Sequence, residues 1–181
     1  TRSTRDWSSD VCSSDLFKDV FKKLVDLGVT SLTVPEEYGG SGVDMVATIA
    51  TIEELSSRSI GIASGFIQCA CYAGLNILES GSTEQKNELL PRVANGELLF
   101  SYGISEPDVG GDVASVSTIA RLENDEVIIN GSKRWCSGAL IADYIFTLVR
   151  SGPADERYRN LSIVLIPPNI KGVTITPQNT M

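Results

Sequence analysis

Residues 102–112 read YGISEPDVGGD, a loop whose composition raises the question of chemistry. The adjacent glycines Gly110 and Gly111 can present backbone N–H groups to a pyrophosphate. Glu106, Asp108 and Asp112 supply three carboxylates, which suggest a calcium loop. That reading fails, because the glycine and the distal glutamate of the calcium-binding pattern are missing from the required places. On the residues alone, a phosphate cradle and a plain joint between two regions both stand.

The rest of the composition narrows what such a loop can do. The chain contains no histidine, which removes the commonest general base, the Ser-His and Cys-His nucleophile pairs and most zinc sites. The remaining chemistry is that of carboxylates or of a bound cofactor. Cys12, Cys69, Cys71 and Cys136 form no C-x-x-C pair, and the middle two lie in a long apolar stretch where cysteine packs as a small hydrophobe, so no metal or redox site is expected. Net charge is -8, with no basic cluster longer than Lys22-Lys23, which argues against nucleic acid as a partner. No basic segment precedes an apolar one at the amino end, and a cytoplasmic setting is expected.

Those residues must be held by elements. The 181 residues, 42% hydrophobic and 21% charged, suffice for one large domain or two small ones. Residues 1–15, TRSTRDWSSDVCSSD, nearly repeat a short unit without apolar periodicity and read as an unstructured or foreign leader. From Phe17 the apolar positions Phe17, Val20, Phe21, Leu24, Val25 and Leu27 follow a helical period, and Gly28 suits the cap that ends the helix. Val46, Ile49, Ile52 and Leu55 continue the period in a second helix. Residues 60–78 carry no charge and include Gly61-x-x-x-Gly65, close to the length of a membrane span. Ser64, Gln68 and Asn76 favour a helix buried on all sides of a bundle instead, so no membrane association is expected. Ser82 with Gln85 forms a capping-box pattern for a further helix.

Beyond the loop the period falls to two, with Val113, Val116, Thr118 and Ala120 as a first strand and Val127, Ile128 and Ile129 as a second. Asn124-Asp125 reads as a turn, Asn130-Gly131 as the strongest hairpin signal, and 144–149, 161–166 and 173–176 as further strands. The reading is α+β: a helical bundle over 16–98, then an antiparallel β-sheet or barrel over 99–181.

GISEPDVGGD resembles the signature of the acyl-CoA dehydrogenase family, which runs small, aliphatic, Ser/Thr, Glu, two residues, small, Gly, Ser/Thr, Asp. VPEEYGGSG at 34–42, IEEL at 52–55, GSTEQK at 81–86, LLPRVANGE at 89–97 and INGSKRWCSGALIADY at 129–144 are similar to further segments of that family, in its order, so the likeness covers residues 17–181. The resemblance implies the amino-terminal and middle domains of an enzyme that oxidises an acyl-CoA thioester with FAD. It implies that Tyr102, Ile104 and Ser105 line the flavin, and that Gly110 and Gly111 follow its pyrophosphate, Gly111 also meeting the acyl-CoA. Trp135 would cover the isoalloxazine ring, with Cys136 and Ser137 near its N5 edge. A tryptophan there could otherwise fill the sheet core.

The same resemblance implies electron-transfer flavoprotein or another acceptor as partner, and a homo-oligomer, tetramer or dimer. The family's catalytic glutamate lies on a carboxyl-terminal domain, so no residue of this chain is assigned as a catalytic base and the piece alone is expected to be inactive. Val109 stands where the family has a small residue, Gly111 where it has Ser or Thr, and CSGAL at 136–140 replaces an Ile-Thr-Asn-Gly type of sequence. A flavin oxidase or monooxygenase on the same scaffold, or a non-catalytic scaffold protein, are the alternatives.

Overall fold

The computed structural model describes residues 15–178. Apart from Asp15, the expected leader and its Cys12 lie outside them. Helix α1 (Asp15–Asp26) turns Phe17, Phe21 and Leu24 into the core, at the spacing the sequence predicts. It ends at Gly28, whose φ of 74° is the left-handed conformation that residues with a Cβ resist. Leu27 falls in the turn beyond the helix and is exposed, so the apolar period overruns the buried face by one position.

Two short 3₁₀ turns, Val29–Ser31 and Glu36–Tyr38, lead to α2 (Met45–Arg58). Asp44 caps it by accepting the Ala47 N–H at 2.9 Å. Here the period and the buried face part company: Thr48 is interior and Leu55 packs at the core's edge, while Val46 and Ile49 face outward. The apolar row of α2 is thus left largely without a partner.

The uncharged run becomes α3, a 21-residue helix over Ile60–Ser80 that is long and apolar enough to cross a membrane by length and composition. Ala63, Phe66, Ala70 and Ala73 are buried in the packing of α3 with α1, α2, the next helix and the first strand. A Cβ at Gly65 would lie 2.5 Å from Cζ of Phe17, so this glycine admits the α1 ring against the helix axis. Its middle, Ile67–Leu75, winds in π register. Side chains stabilise carbonyls along this segment: Ala70 O accepts from Thr33 Oγ1 at 2.8 Å, and Tyr72 O accepts from Asn76 Nδ2. Helix α4 (Thr83–Ala94) opens on the expected reciprocal cap, with the Ser82 Oγ accepting the Gln85 N–H and the Gln85 side chain accepting the Ser82 N–H.

Five strands follow: β1 (Phe100–Gly103), β2 (Ile119–Glu123), β3 (Glu126–Asn130), β4 (Tyr144–Arg150) and β5 (Leu161–Ile166). The α+β class is as read, but the sheet is mixed and open where an antiparallel sheet or barrel was expected. β4 lies at its centre, antiparallel to β5, parallel to β1 and joined to β2 by a parallel pair at Ile119 and Arg150. The long crossover from β1 to β4, which contains the β2–β3 hairpin, is what permits parallel pairing. Ile145 to Val149 are all buried, as a strand covered on both faces requires.

The turn read at Asn124-Asp125 holds, and three other local expectations change. The hairpin turn is Asn124-Asp125, both residues at positive φ (51° and 64°), a two-residue turn of the twist that hairpins prefer. Asn130-Gly131 makes no hairpin; Gly131 is needed because a Cβ there would sit 2.6 Å from the Thr118 Cα. Residues 113–118 hold a 3₁₀ turn at Val113–Ser115 and no strand, and 173–176 pairs with nothing among the described residues. Alternation alone makes no strand without a ladder partner.

Candidate functional site

The YGISEPDVGGD loop leaves the end of β1 and is pinned at Glu106. This residue is 5% exposed. Its Oε1 accepts from Lys133 Nζ at 2.8 Å, Thr118 N at 2.9 Å and Thr118 Oγ1 at 2.6 Å; its Oε2 accepts from Ser117 N at 2.7 Å and Ser117 Oγ at 2.5 Å. Burial pushes its pKa up, but the bonds from Lys133, Ser117 and Thr118 outweigh that and hold the carboxyl well below the usual carboxylate range. Glu106 is therefore a buried anion whose acceptor sites are filled, which suits it to fixing the loop and unsuits it to abstracting a proton.

Lys133 extends the clasp by donating also to Ile104 O at 3.2 Å, and the Arg134 N–H donates to Ser105 O at 2.8 Å. Ile104 and Ser105 are thereby tied to the segment that carries Trp135, Cys136 and Ser137. Trp135 adopts φ 62°, a conformation costly for a side chain of its size, and the residue is 61% exposed with the Arg134 guanidinium 5.0 Å from the ring centroid. It does not fill the sheet core. The loop's other end is held by Asp112, which accepts from Ser115 Oγ and pairs with Arg157. Between the two anchors, nothing lies within 4 Å of a Cβ built on Gly110 or Gly111, so their backbone is open to a ligand.

Tyr102, Trp135 and Ser137 face α3 across a cavity of about 370 Å³. Ser64, Gln68 and Tyr72 form the helix side, with Ile60 and Ile67. Tyr102 is held by stacking on Phe146, with centroids 5.0 Å apart, and its hydroxyl accepts from Asn76 Nδ2 at 3.1 Å. Burial, and then Tyr72, raise its pKa, so the phenol stays protonated. The thiols stay protonated as well: burial pushes Cys69 up to about 12 and raises Cys71 and Cys136, the latter opposed in part by Lys133.

The structure thus brings Tyr102, Trp135 and Ser137 to one cavity. Ile104, Ser105 and Cys136 belong to the clasped segments, while Gly110 and Gly111 sit in the open part of the loop. Sequence reasoning missed the α3 side of the cavity. The signal was present, since Ser64 and Gln68 are polar residues one helical turn apart in an otherwise apolar run. It also missed Lys133, whose partner is 27 positions away.

Residues 5–97 match the acyl-CoA dehydrogenase N-terminal domain, and residues 101–181 match the acyl-CoA dehydrogenase middle domain. The chain belongs to the acyl-CoA dehydrogenase family. It is 32% identical over 170 residues to the acyl-CoA dehydrogenase FadE26 of Mycobacterium tuberculosis, a stretch that is 92% of this chain and 42% of that protein. Among solved structures of the family, it is similar to an acyl-CoA dehydrogenase from Bacillus anthracis complexed with FAD, with 30% identity, a TM-score of 0.81, and coverage of 92% of this chain and 28% of that one. A glutaryl-coenzyme A dehydrogenase in complex with glutaryl-CoA is similar at 29% identity and a TM-score of 0.79, with coverage of 92% and 41%. The chain spans less than half the length of each of these three proteins.

Proposed function

We propose that this chain forms one wall of the active site of an FAD-dependent acyl-CoA dehydrogenase whose remaining wall lies outside these residues. The observation that carries the reading is the placement of an exposed, conformationally strained Trp135 beside Tyr102 and Ser137 at the mouth of the α3 cavity. An exposed aromatic face at a cavity mouth can cover a flat ligand.

The residues present fit a flavin dinucleotide. The open backbone of Gly110 and Gly111 suits its pyrophosphate, with Gly111 also available to the acyl-CoA, and Trp135 offers a face for the ring. Ile104, Ser105 and Tyr102 would line the ring from the β1 side, with Cys136 and Ser137 toward its N5 edge. Bound FAD supplies the hydride acceptor for α,β-dehydrogenation of the thioester. The chain's own part is to bind and orient: the Glu106–Lys133 clasp fixes the two loops relative to each other, and Trp135 excludes water from the reacting face. Ser137 offers a hydroxyl donor at the same mouth. The proton acceptor is assigned to the part of the enzyme that corresponds to the rest of the relatives' length, because Glu106 is saturated with donors and no carboxylate among the described residues lines the cavity.

Exposed Val46, Ile49 and Ile60 support a second body against α2 and α3, either that remaining part or a neighbouring subunit. Electron-transfer flavoprotein is the electron acceptor in this reading. The test is anaerobic mixing of the FAD-loaded complete protein with a panel of acyl-CoA thioesters. Bleaching of the flavin's visible absorption is expected with at least one of them, and a flavin that stays oxidised with all would contradict the proposal.

A further inference from the structure

A second cleft, of about 250 Å³, opens where β4 ends, and its lining includes Arg121, Arg150, Ser151 and Gly152. The sheet register puts the two arginines together. Ile119 of β2 pairs with Arg150 of β4 in parallel, and side chains alternate along a strand, so Ile119, Arg121 and Arg150 share one face. Ordinary strand spacing and rise then separate the Arg121 and Arg150 Cα atoms by about 8 Å, close enough for two long side chains to converge on one anion. Among the described residues neither makes an ion pair, since the pairs there use Arg58, Arg92, Lys133 and Arg157. Glu123, next along the same face of β2, does not line the cleft. Like charges this close on one face repel, and an anion between them removes that cost.

The same face leads back to the α3 cavity. Phe146, Leu148 and Arg150 alternate along β4, and Phe146 carries the stacked ring of Tyr102, which lines that cavity. At the rise of a strand, Arg150 lies about 13 Å beyond Phe146. The extended pantetheine arm of CoA is longer than that.

We propose that Arg121 and Arg150 hold the 3′-phosphate of the acyl-CoA, which makes this cleft the nucleotide end of the thioester site. The inference rests on the thioester reading above and goes beyond it by placing the part of the substrate remote from the reaction. A phosphate monoester carries about two negative charges at neutral pH, a match for two guanidinium groups that the singly charged links of a pyrophosphate do not offer. Ser151 adds a hydroxyl to the lining, bonded to Ser162 Oγ at 2.7 Å.

The test titrates the complete, FAD-loaded protein with the panel of CoA thioesters, each made with and without the 3′-phosphate. Sulfur replaces the β-carbon in all of them, so hydride cannot leave and isothermal titration reads binding alone. The intact compound that binds best should bind about tenfold more tightly than its dephospho twin, a factor in keeping with one charge-assisted hydrogen bond. Arg121→Gln and Arg150→Gln should each lower that ratio, and the double variant should abolish it with FAD occupancy unchanged. Equal binding of every pair by the unaltered protein overturns this inference and leaves the thioester reading intact, as does a ratio that survives in the double variant. FAD lost from a double variant with an unaltered unfolding temperature would assign the cleft to the dinucleotide and overturn the inference too. Failure of the whole panel to bind overturns both readings.

Discussion

Glu106 accepts from five donors contributed by Ser117, Thr118 and Lys133, and it is the carboxylate on which the local fold leans hardest. Removing one partner of a buried ion pair typically costs about 3–5 kcal/mol, so Glu106→Gln should lower the unfolding free energy at neutral pH by that order. The pH dependence has a definite sign. The folded-state pKa lies below the unfolded one, so the unfolded chain takes up the proton first as acid is added. The stabilisation is fully present above about pH 5 and declines as pH falls below the unfolded value of about 4.3. Urea unfolding from neutral pH to about pH 3 should show that decline, and the Gln variant should show less of it. Trp135 makes the opposite case. Its ring is largely exposed, so Trp135→Ala in the complete protein should leave the unfolding temperature nearly unchanged and weaken FAD retention by roughly tenfold or more, since stacked aromatic contacts carry binding energy. A lowered unfolding temperature with intact flavin occupancy would make the ring a structural element.

At the scale of elements, the sharpest constraint is where β3 ends. Gly131 passes so close to Thr118, which is itself locked by Glu106, that Gly131→Ala should cost about 1–3 kcal/mol by overpacking, read as a lower denaturant midpoint. The Asn130-Gly131 pair invited a hairpin because the rule for it is local, whereas what fixes Gly131 is a neighbour that only the folded crossover supplies. The helices were legible for the converse reason. Apolar spacing in α1, the caps Gly28 and Ser82–Gln85, and the uncharged length of α3 are properties of short windows. The π register of α3 was not, since it is supported by Thr33, 37 positions away from the carbonyl it serves. The parallel partners of β4 and the Lys133 arm of the clasp likewise depend on contacts distant in sequence. Of the site, the loop residues were legible through family likeness. The α3 wall was hidden by a run whose few polar residues read as obstacles to a membrane helix instead of as cavity lining. Within α3 the buried Cys69, its thiol pushed up to about 12, should resist alkylation at pH 8 in the native protein and react on unfolding.

For the whole molecule, the two regions meet where α3 faces β1 and the Trp135 segment, the meeting place proposed above as half of a flavin and thioester site. The chain alone should hold FAD weakly and show no acyl-CoA oxidation, because one face of the cavity is open. The complete protein should purify yellow, or become so on titration with FAD, with tryptophan emission quenched as the dinucleotide binds. That titration of the complete protein is the most direct test: saturable binding with quenching is the predicted result, and a colourless protein that ignores saturating FAD would contradict the account.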